Sequence, residues 1–125
     1  MQIPDEESLK SYFVEASVSA AFHAANETNN VEIDNVGYWD VLCRKLTQAL
    51  GSGLWSTPAG WNEDPLSSHF LHSFGHLRNY GAYVSSCIRY RQNKCSDAEE
   101  NDLRWHSQAV IDEWFAKYRN DLRKL

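Results

Sequence analysis

Apolar residues recur along this chain at the spacing of an α-helix rather than with the alternation of a β-strand. Near the N-terminus the recurring positions are Leu9, Phe13, Ala16, Ala20 and His23. Their spacing predicts a buried stripe on a helix that covers roughly residues 5–25. The same periodicity predicts three further helices over roughly residues 35–50, 65–92 and 97–124.

The ends of these segments carry residues that are typical of helix boundaries. Residues 51–64 form a long, glycine-rich, irregular connection between the second and third helices. Ser96 and Glu99 form a capping box, in which each side chain satisfies a backbone N–H of the other residue. Gly75 and Gly81 inside the third segment indicate either a close approach to another helix or a kink. We therefore expect one all-α domain, residues 1–125, with a four-helix, bundle-like fold.

The composition indicates a folded, acidic protein. Of 125 residues, 42% are hydrophobic, and five Trp, six Tyr and five Phe can supply a core of large rings. Seventeen acidic residues against 12 basic ones give a formal net charge of −5. Nucleic-acid binding needs a basic face, so the charge disfavours it and instead favours a protein partner with a basic surface.

Neither a membrane nor a secretory pathway is indicated. No apolar run approaches the roughly 18 residues that a membrane-spanning helix requires. The acidic N-terminal residues lack the positively charged and apolar regions of a signal peptide. Cys43, Cys87 and Cys95 leave one cysteine unpaired in any disulfide scheme, so we expect reduced thiols in a cytoplasmic protein.

Three histidines within eight residues are the clearest candidate chemistry. On a continuous helix, His69, His72 and His76 share one face, and His72 with His76 has the one-turn spacing of a transition-metal site. The candidates for a third ligand are His69, His23, His106 and Cys87. The alternative is that these rings pack at a helix boundary, because the Glu-x-x-His signature of di-iron bundles is absent from the sequence. Both interpretations are open.

The segment His72-Ser73-Phe74-Gly75-His76 resembles the His-Glu-x-x-His zinc helix of metallopeptidases. Ser73 stands where that family has the glutamate that activates the zinc-bound water, which argues against peptidase activity. The sequence also lacks a glycine-rich phosphate loop and a Gly-x-Ser-x-Gly elbow. Cys87 with His76 or His106 would be a nucleophile and base, but nothing marks the thiol as activated. We assign no catalytic residue, and an enzyme is the less favoured class.

Tryptophans supply the second set of candidates. Trp55 and Trp61 lie in the 51–64 connection, where they either plug the open end of the bundle or contact a partner. Trp105 points with Ala109 away from the apolar side of the last helix. This position indicates an interface with a partner or a second copy of the chain, or a ring covered by the N-terminal segment. The acidic residues expected to steer a basic partner are Glu63, Asp64, Asp97, Glu99 and Glu100.

A small basic patch contains Arg89, Arg91, Lys94 and Arg104. It indicates either contact with nucleic acid or a solvated helix end whose cations complement the terminal carbonyl groups.

Together these features predict a small binding protein that acts by occupying a surface of another protein. An inhibitor fits this description, such as an immunity protein for a toxin or a phage-encoded blocker of a defence complex, and so does an accessory subunit. The alternative is a metal-binding helical bundle that uses His72 and His76, with no other cofactor expected.

Overall fold

A computed structural model describes residues 6–51 and 65–124. The α-helices are α1 (Glu6–Glu27), α2 (Asn35–Gly51), α3 (Pro65–Ser73), α4 (Tyr80–Gln92) and α5 (Asp97–Leu122). A single 3₁₀ turn, Phe74–His76, follows α3. No strand occurs within the described residues. The predicted all-α, bundle-like fold is confirmed, while the connection after Gly51 lies outside the described residues.

An aromatic cluster joins three of the helices at the centre of the core. The ring centroids of Phe13 in α1 and Phe70 in α3 are 5.1 Å apart. Trp114 in α5 lies 5.1 Å from Phe13 and 5.0 Å from Phe70. Large rings at these separations in edge-on and tilted geometry each bury on the order of 150–250 Å². α2 packs along α1, and its residues Leu42, Leu46 and Leu50 are all buried.

Buried hydroxyl groups connect α1, α4 and α5 near this cluster. The hydroxyls of Ser17 and Tyr83 lie 2.6 Å apart, and Ser107 donates to Ser17 at 3.2 Å. All three residues are buried. Because a buried hydroxyl without a partner is costly, this chain of bonds fixes how the three helices face one another.

The prediction of one continuous helix over residues 65–92 is wrong. α3 ends at Ser73, and after the 3₁₀ turn the backbone is extended at Leu77, with φ −84° and ψ 149°. α4 then begins at Tyr80. The sequence left two interpretations of the glycines, a close approach to another helix or a kink. The interruption agrees with a kink, since Gly75 lies in the 3₁₀ turn and Gly81 in the first turn of α4.

A carboxylate from α5 explains why the chain tolerates this break. Glu113 accepts hydrogen bonds from the backbone N–H of Arg78 at 2.6 Å and of Asn79 at 2.8 Å. It also accepts one from the side-chain amide of Asn79 at 2.8 Å. Arg78 and Asn79 lie just before the first residue of α4, where backbone N–H groups lack partners within the helix, and Glu113 supplies an acceptor for each from a neighbouring element.

The break also changes which face of α4 is buried. A continuous helix would place Val84 and Ile88 in the core and Tyr83 with Cys87 on the histidine flank. Instead Tyr83, Cys87 and Tyr90 are fully buried, whereas Val84 and Ile88 are half-buried. Because extended Leu77 interrupts the helix, α4 is rotated about its axis relative to a continuation of α3. The spacing of apolar residues did not predict this rotation.

Two smaller predictions also need correction. The stripe on α1 is buried from Leu9 to Ala20, but His23 is exposed because Ala24 faces the core in its place. The capping box is half formed, since Ser96 accepts from the Glu99 N–H at 3.3 Å. The Glu99 carboxylate instead accepts from the Asn93 side-chain amide at 3.0 Å.

None of the helices in residues 6–51 and 65–124 combines the length and the apolar character needed to cross a membrane.

Candidate partner-binding surface

Trp105 on α5 is the most exposed large apolar side chain among the described residues, with 73% of its surface accessible. The other two tryptophans in these residues are packed. Trp114 is completely buried, and Trp39 lies half-buried with its ring 5.9 Å from that of Tyr80. α1 leaves Trp105 exposed, and residues 1–5 of the N-terminal segment lie outside the described residues. An exposed ring of this size presents a large apolar area that a docking surface can remove from water.

Small residues extend the surface on both sides of the ring. Ala98, Trp105, Ala109 and Ala116 are separated by seven, four and seven positions, which places them along one side of α5. Ala98 and Ala116 are exposed and Ala109 is half-buried. We name these four residues the Trp105 stripe. Because the alanines are short, a second helix or strand can approach α5 closely beside the indole ring.

Carboxylates border the Trp105 stripe, and partners within the protein hold them. Asp102 accepts a hydrogen bond from Arg89 at 2.6 Å and lies 3.4 Å from the imidazole of His106. The bond from Arg89 lowers the pKa of Asp102, so this carboxylate is ionised at neutral pH. Asp112 on the other border lies 3.2 Å from the ammonium group of Lys10. These ion pairs fix the edges of the stripe rather than offering free charge to a partner.

The predicted steering residues divide into three groups. Asp97, the first residue of α5, is exposed and makes no ion pair with another described residue. Glu99 lies 3.8 Å from Arg89, and Glu100 lies 3.6 Å from Arg104, so both are partly neutralised. Glu63 and Asp64 fall outside the described residues, as do Trp55 and Trp61. Of the described acidic candidates, Asp97 therefore retains the most charge for long-range attraction.

The histidines are dispersed rather than gathered on one helix face. His69 packs into the aromatic core, because the indole N–H of Trp114 donates to its Nδ1 at 3.0 Å. Its ring centroid also lies 4.8 Å from that of Tyr118. This contact agrees with the interpretation of His69 as a packing residue.

His72 and His76 are both exposed, and the end of α3 at Ser73 separates them. His72 donates from Nδ1 to the Ser68 carbonyl at 2.7 Å, which leaves its Nε2 free for other contacts. Among residues 6–51 and 65–124, no three His, Cys, Asp or Glu side chains lie close enough together to hold a metal ion. Metal binding by His72, His76 and His69 stays a prediction.

The Cys87 thiol is fully buried in the core. Burial raises its pKa to about 12, so the thiol is protonated at neutral pH. A nucleophile needs the thiolate form, and the side-chain hydrogen bond of this thiol within the described residues is with Tyr83 rather than with His76 or His106.

The sequence pattern predicted Trp105 and Ala109 at this surface but not Ala98 and Ala116. Their spacing could have identified them, since Ala98 lies seven residues from Trp105 and Ala116 seven residues from Ala109, which is about two helical turns. Comparisons of the chain with protein-family models, with curated proteins and with solved structures found no match.

Proposed function

We propose that this chain is a small protein-binding module that docks onto another protein through the Trp105 stripe. The observation that carries the proposal is the 73% exposure of Trp105 on a helix whose opposite side forms the core. Tryptophan is enriched among the few residues that dominate binding energy at interfaces, because one ring removes a large apolar area from water. α5 is fixed through Trp114 and Ser107, so the stripe is held rigidly before a partner arrives.

Charge supports a partner with a basic surface. The chain carries a net charge of −5, and exposed Asp97 lies two helical turns from Trp105 on the same helix. Opposite charges raise the rate of encounter, whereas the Trp105 ring, once it is buried against the partner, lowers the rate of dissociation. A module of this kind acts as an inhibitor of the immunity or anti-defence type, or as an accessory subunit. All three cysteines are unpaired, which supports a cytoplasmic location.

Site-specific photocrosslinking inside cells that produce the protein tests this proposal. A photoreactive residue replaces Gln108, which is exposed and lies three positions from Trp105. Mass spectrometry of the crosslinked product then identifies the partner. We expect one discrete product of the chain with another protein, and we expect Trp105→Ala to abolish it.

The matched control is Val36→Ala, which removes an apolar side chain with 70% exposure from α2. This variant should crosslink as the wild type does. A product of twice the chain mass would show that the partner is a second copy, which would overturn docking onto a different protein. An unchanged product with Trp105→Ala would remove the stripe from the interface.

A further inference from the structure

A polar cleft lies between the C-terminal ends of α1 and α4, and it shares no residue with the Trp105 stripe. Its volume is about 730 Å³. Phe22, Asn26 and Asn30 line it from the α1 side, and Arg91 with Lys94 line it from the α4 side. None of the described Asp or Glu residues lines the cleft. A protein with a net charge of −5 therefore has a local concavity in which every charged residue is a cation.

The structure divides the basic patch that the sequence suggested. Arg89 lies 2.6 Å from Asp102, and Arg104 pairs with Glu15 and Glu100. In contrast, Arg91 and Lys94 form no ion pair within residues 6–51 and 65–124. Positive charge therefore remains only partly compensated at the cleft, while the rest of the patch is neutralised.

The Arg91 guanidinium is held in place by uncharged partners. Its Nε donates to the Thr28 hydroxyl at 3.0 Å, and its Nη2 donates to the Thr28 carbonyl at 3.2 Å. The guanidinium also lies over the ring of buried Tyr38, at 5.1 Å from the centroid. These contacts orient the group without cancelling its charge, so a ligand would not have to order it.

Lys94 reaches the cleft from a strained backbone. Lys94 and Cys95 have φ values of 55° and 60°, in the left-handed region that is unfavourable for residues with a Cβ. Both residues line the cleft. Strain of this kind is found often at ligand sites, where the surrounding structure maintains an unfavourable conformation. Here it places a lysine beside Arg91 at the end of α4.

We propose that this cleft binds a small molecule that carries an oxyanion, a phosphate or a carboxylate, next to an apolar group. Arg91 and Lys94 bind the anion through charge-assisted hydrogen bonds. The side-chain amides of Asn26 and Asn30 supply further donors around it. Phe22 is 45% exposed at the cleft and packs against the apolar group of the ligand.

Titration of the isolated, isotope-labelled protein with phenyl phosphate and, separately, with phenylacetate tests the proposal by amide NMR shifts. We expect saturable shifts confined to residues near the ends of α1 and α4. The anion that binds more tightly identifies phosphate or carboxylate as the preferred group. Added salt should weaken binding, because the attraction is electrostatic.

Lys94→Gln removes one cation and should weaken binding about tenfold, the loss expected for one charge-assisted hydrogen bond. The matched control, Lys117→Gln, removes an exposed lysine from α5 and should leave binding unchanged. Phe22→Ala should weaken phenyl phosphate more than inorganic phosphate. The proposal would be overturned if neither phenyl phosphate nor phenylacetate caused shifts. Equal binding by the two lysine variants would also overturn it. The assay contains no protein partner, so its result is independent of the role of Trp105.

Discussion

The indole N–H of Trp114 donates a hydrogen bond to Nδ1 of His69 at 3.0 Å. Trp114 is completely buried among aromatic rings, so this imidazole satisfies the polar atom of the largest side chain in the core. A buried donor without an acceptor would cost free energy, and His69 removes that cost. The contact gives one residue of the histidine group a structural role.

Replacement of this imidazole tests its role in stability. His69→Phe keeps a ring of similar size but removes the acceptor, so we expect the free energy of unfolding to fall by about 1–3 kcal/mol. The matched variant His76→Phe changes an exposed residue of the 3₁₀ turn and should shift stability by less than about 0.5 kcal/mol. Urea denaturation followed by circular dichroism measures both. A wild-type melting temperature that falls on addition of EDTA would instead indicate a bound metal.

Sequence periodicity predicted the helices well because local apolar spacing and boundary residues determine them. It failed between Phe74 and Asn79, where the deciding interaction comes from Glu113, 34 positions from Asn79 in the chain. No local pattern reports a hydrogen bond at that separation. The same failure placed His69, His72 and His76 on one face, since a stripe requires an unbroken helix.

The carboxylate of Glu113 should stabilise the start of α4 in a pH-dependent way. Burial alone would raise its pKa, but the bonds from Arg78 and Asn79 outweigh burial and lower the pKa below its ordinary value of 4.5. A lowered pKa means that this stability is present above about pH 4.5 and is lost as the pH falls through the value in the folded protein.

Two variants separate the charge of Glu113 from its hydrogen bonds. Glu113→Ala removes the acceptors and should cost about 1–2 kcal/mol at neutral pH. Glu113→Gln retains an amide oxygen and should cost less, and the part of the acid dependence that comes from this residue should disappear. Urea titrations from neutral to acidic pH measure both effects. An acid dependence in Glu113→Gln that equals that of the wild type would contradict this role.

The two tryptophans of α5 should respond in opposite ways to truncation. Trp105→Ala should change the free energy of unfolding by less than about 0.5 kcal/mol, because the ring is exposed. Trp114→Ala should cost about 3–5 kcal/mol through the cavity it leaves in the aromatic cluster. Thermal denaturation of each variant measures this difference. A large loss of stability for Trp105→Ala would show that another part of the chain covers the ring.

The candidate surface was predictable only in part, for a physical reason. Trp105 was recognisable because it lies outside the apolar stripe of α5, and that stripe is a local property of the sequence. Which acidic residues remain uncompensated was not predictable, because Arg89 reaches across from α4 to pair with Glu99 and Asp102 of α5. Arg89 forms an ion pair with Asp102 whereas Arg91 forms none within the described residues, and this difference also depends on contacts between helices.

Cysteine alkylation should separate buried Cys87 from half-buried Cys95. Burial raises the pKa of Cys87 to about 12 from an ordinary 9, which lowers its thiolate fraction on the order of a thousandfold. Iodoacetamide at neutral pH should therefore label Cys87 only after unfolding, whereas half-buried Cys95 should react in the native protein. Peptide mass spectrometry after timed labelling measures each site. Equal labelling rates in the native state would show that α4 does not bury Cys87.

The strained loop between α4 and α5 should become more stable when glycine replaces Lys94. At φ 55° a side chain costs about 1–2 kcal/mol relative to glycine. The greater freedom of glycine in the unfolded chain offsets about 0.4–1 kcal/mol of this, so Lys94→Gly should gain about 0.5–1 kcal/mol. In contrast, Gln108→Gly, in the regular part of α5, should lose about 1 kcal/mol. Urea denaturation of the two variants gives the comparison, and a loss of stability in Lys94→Gly would contradict the left-handed conformation. A gain in stability accompanied by weaker binding of phenyl phosphate would show that the strain maintains a lysine at the cleft, since selection for stability alone would favour glycine there.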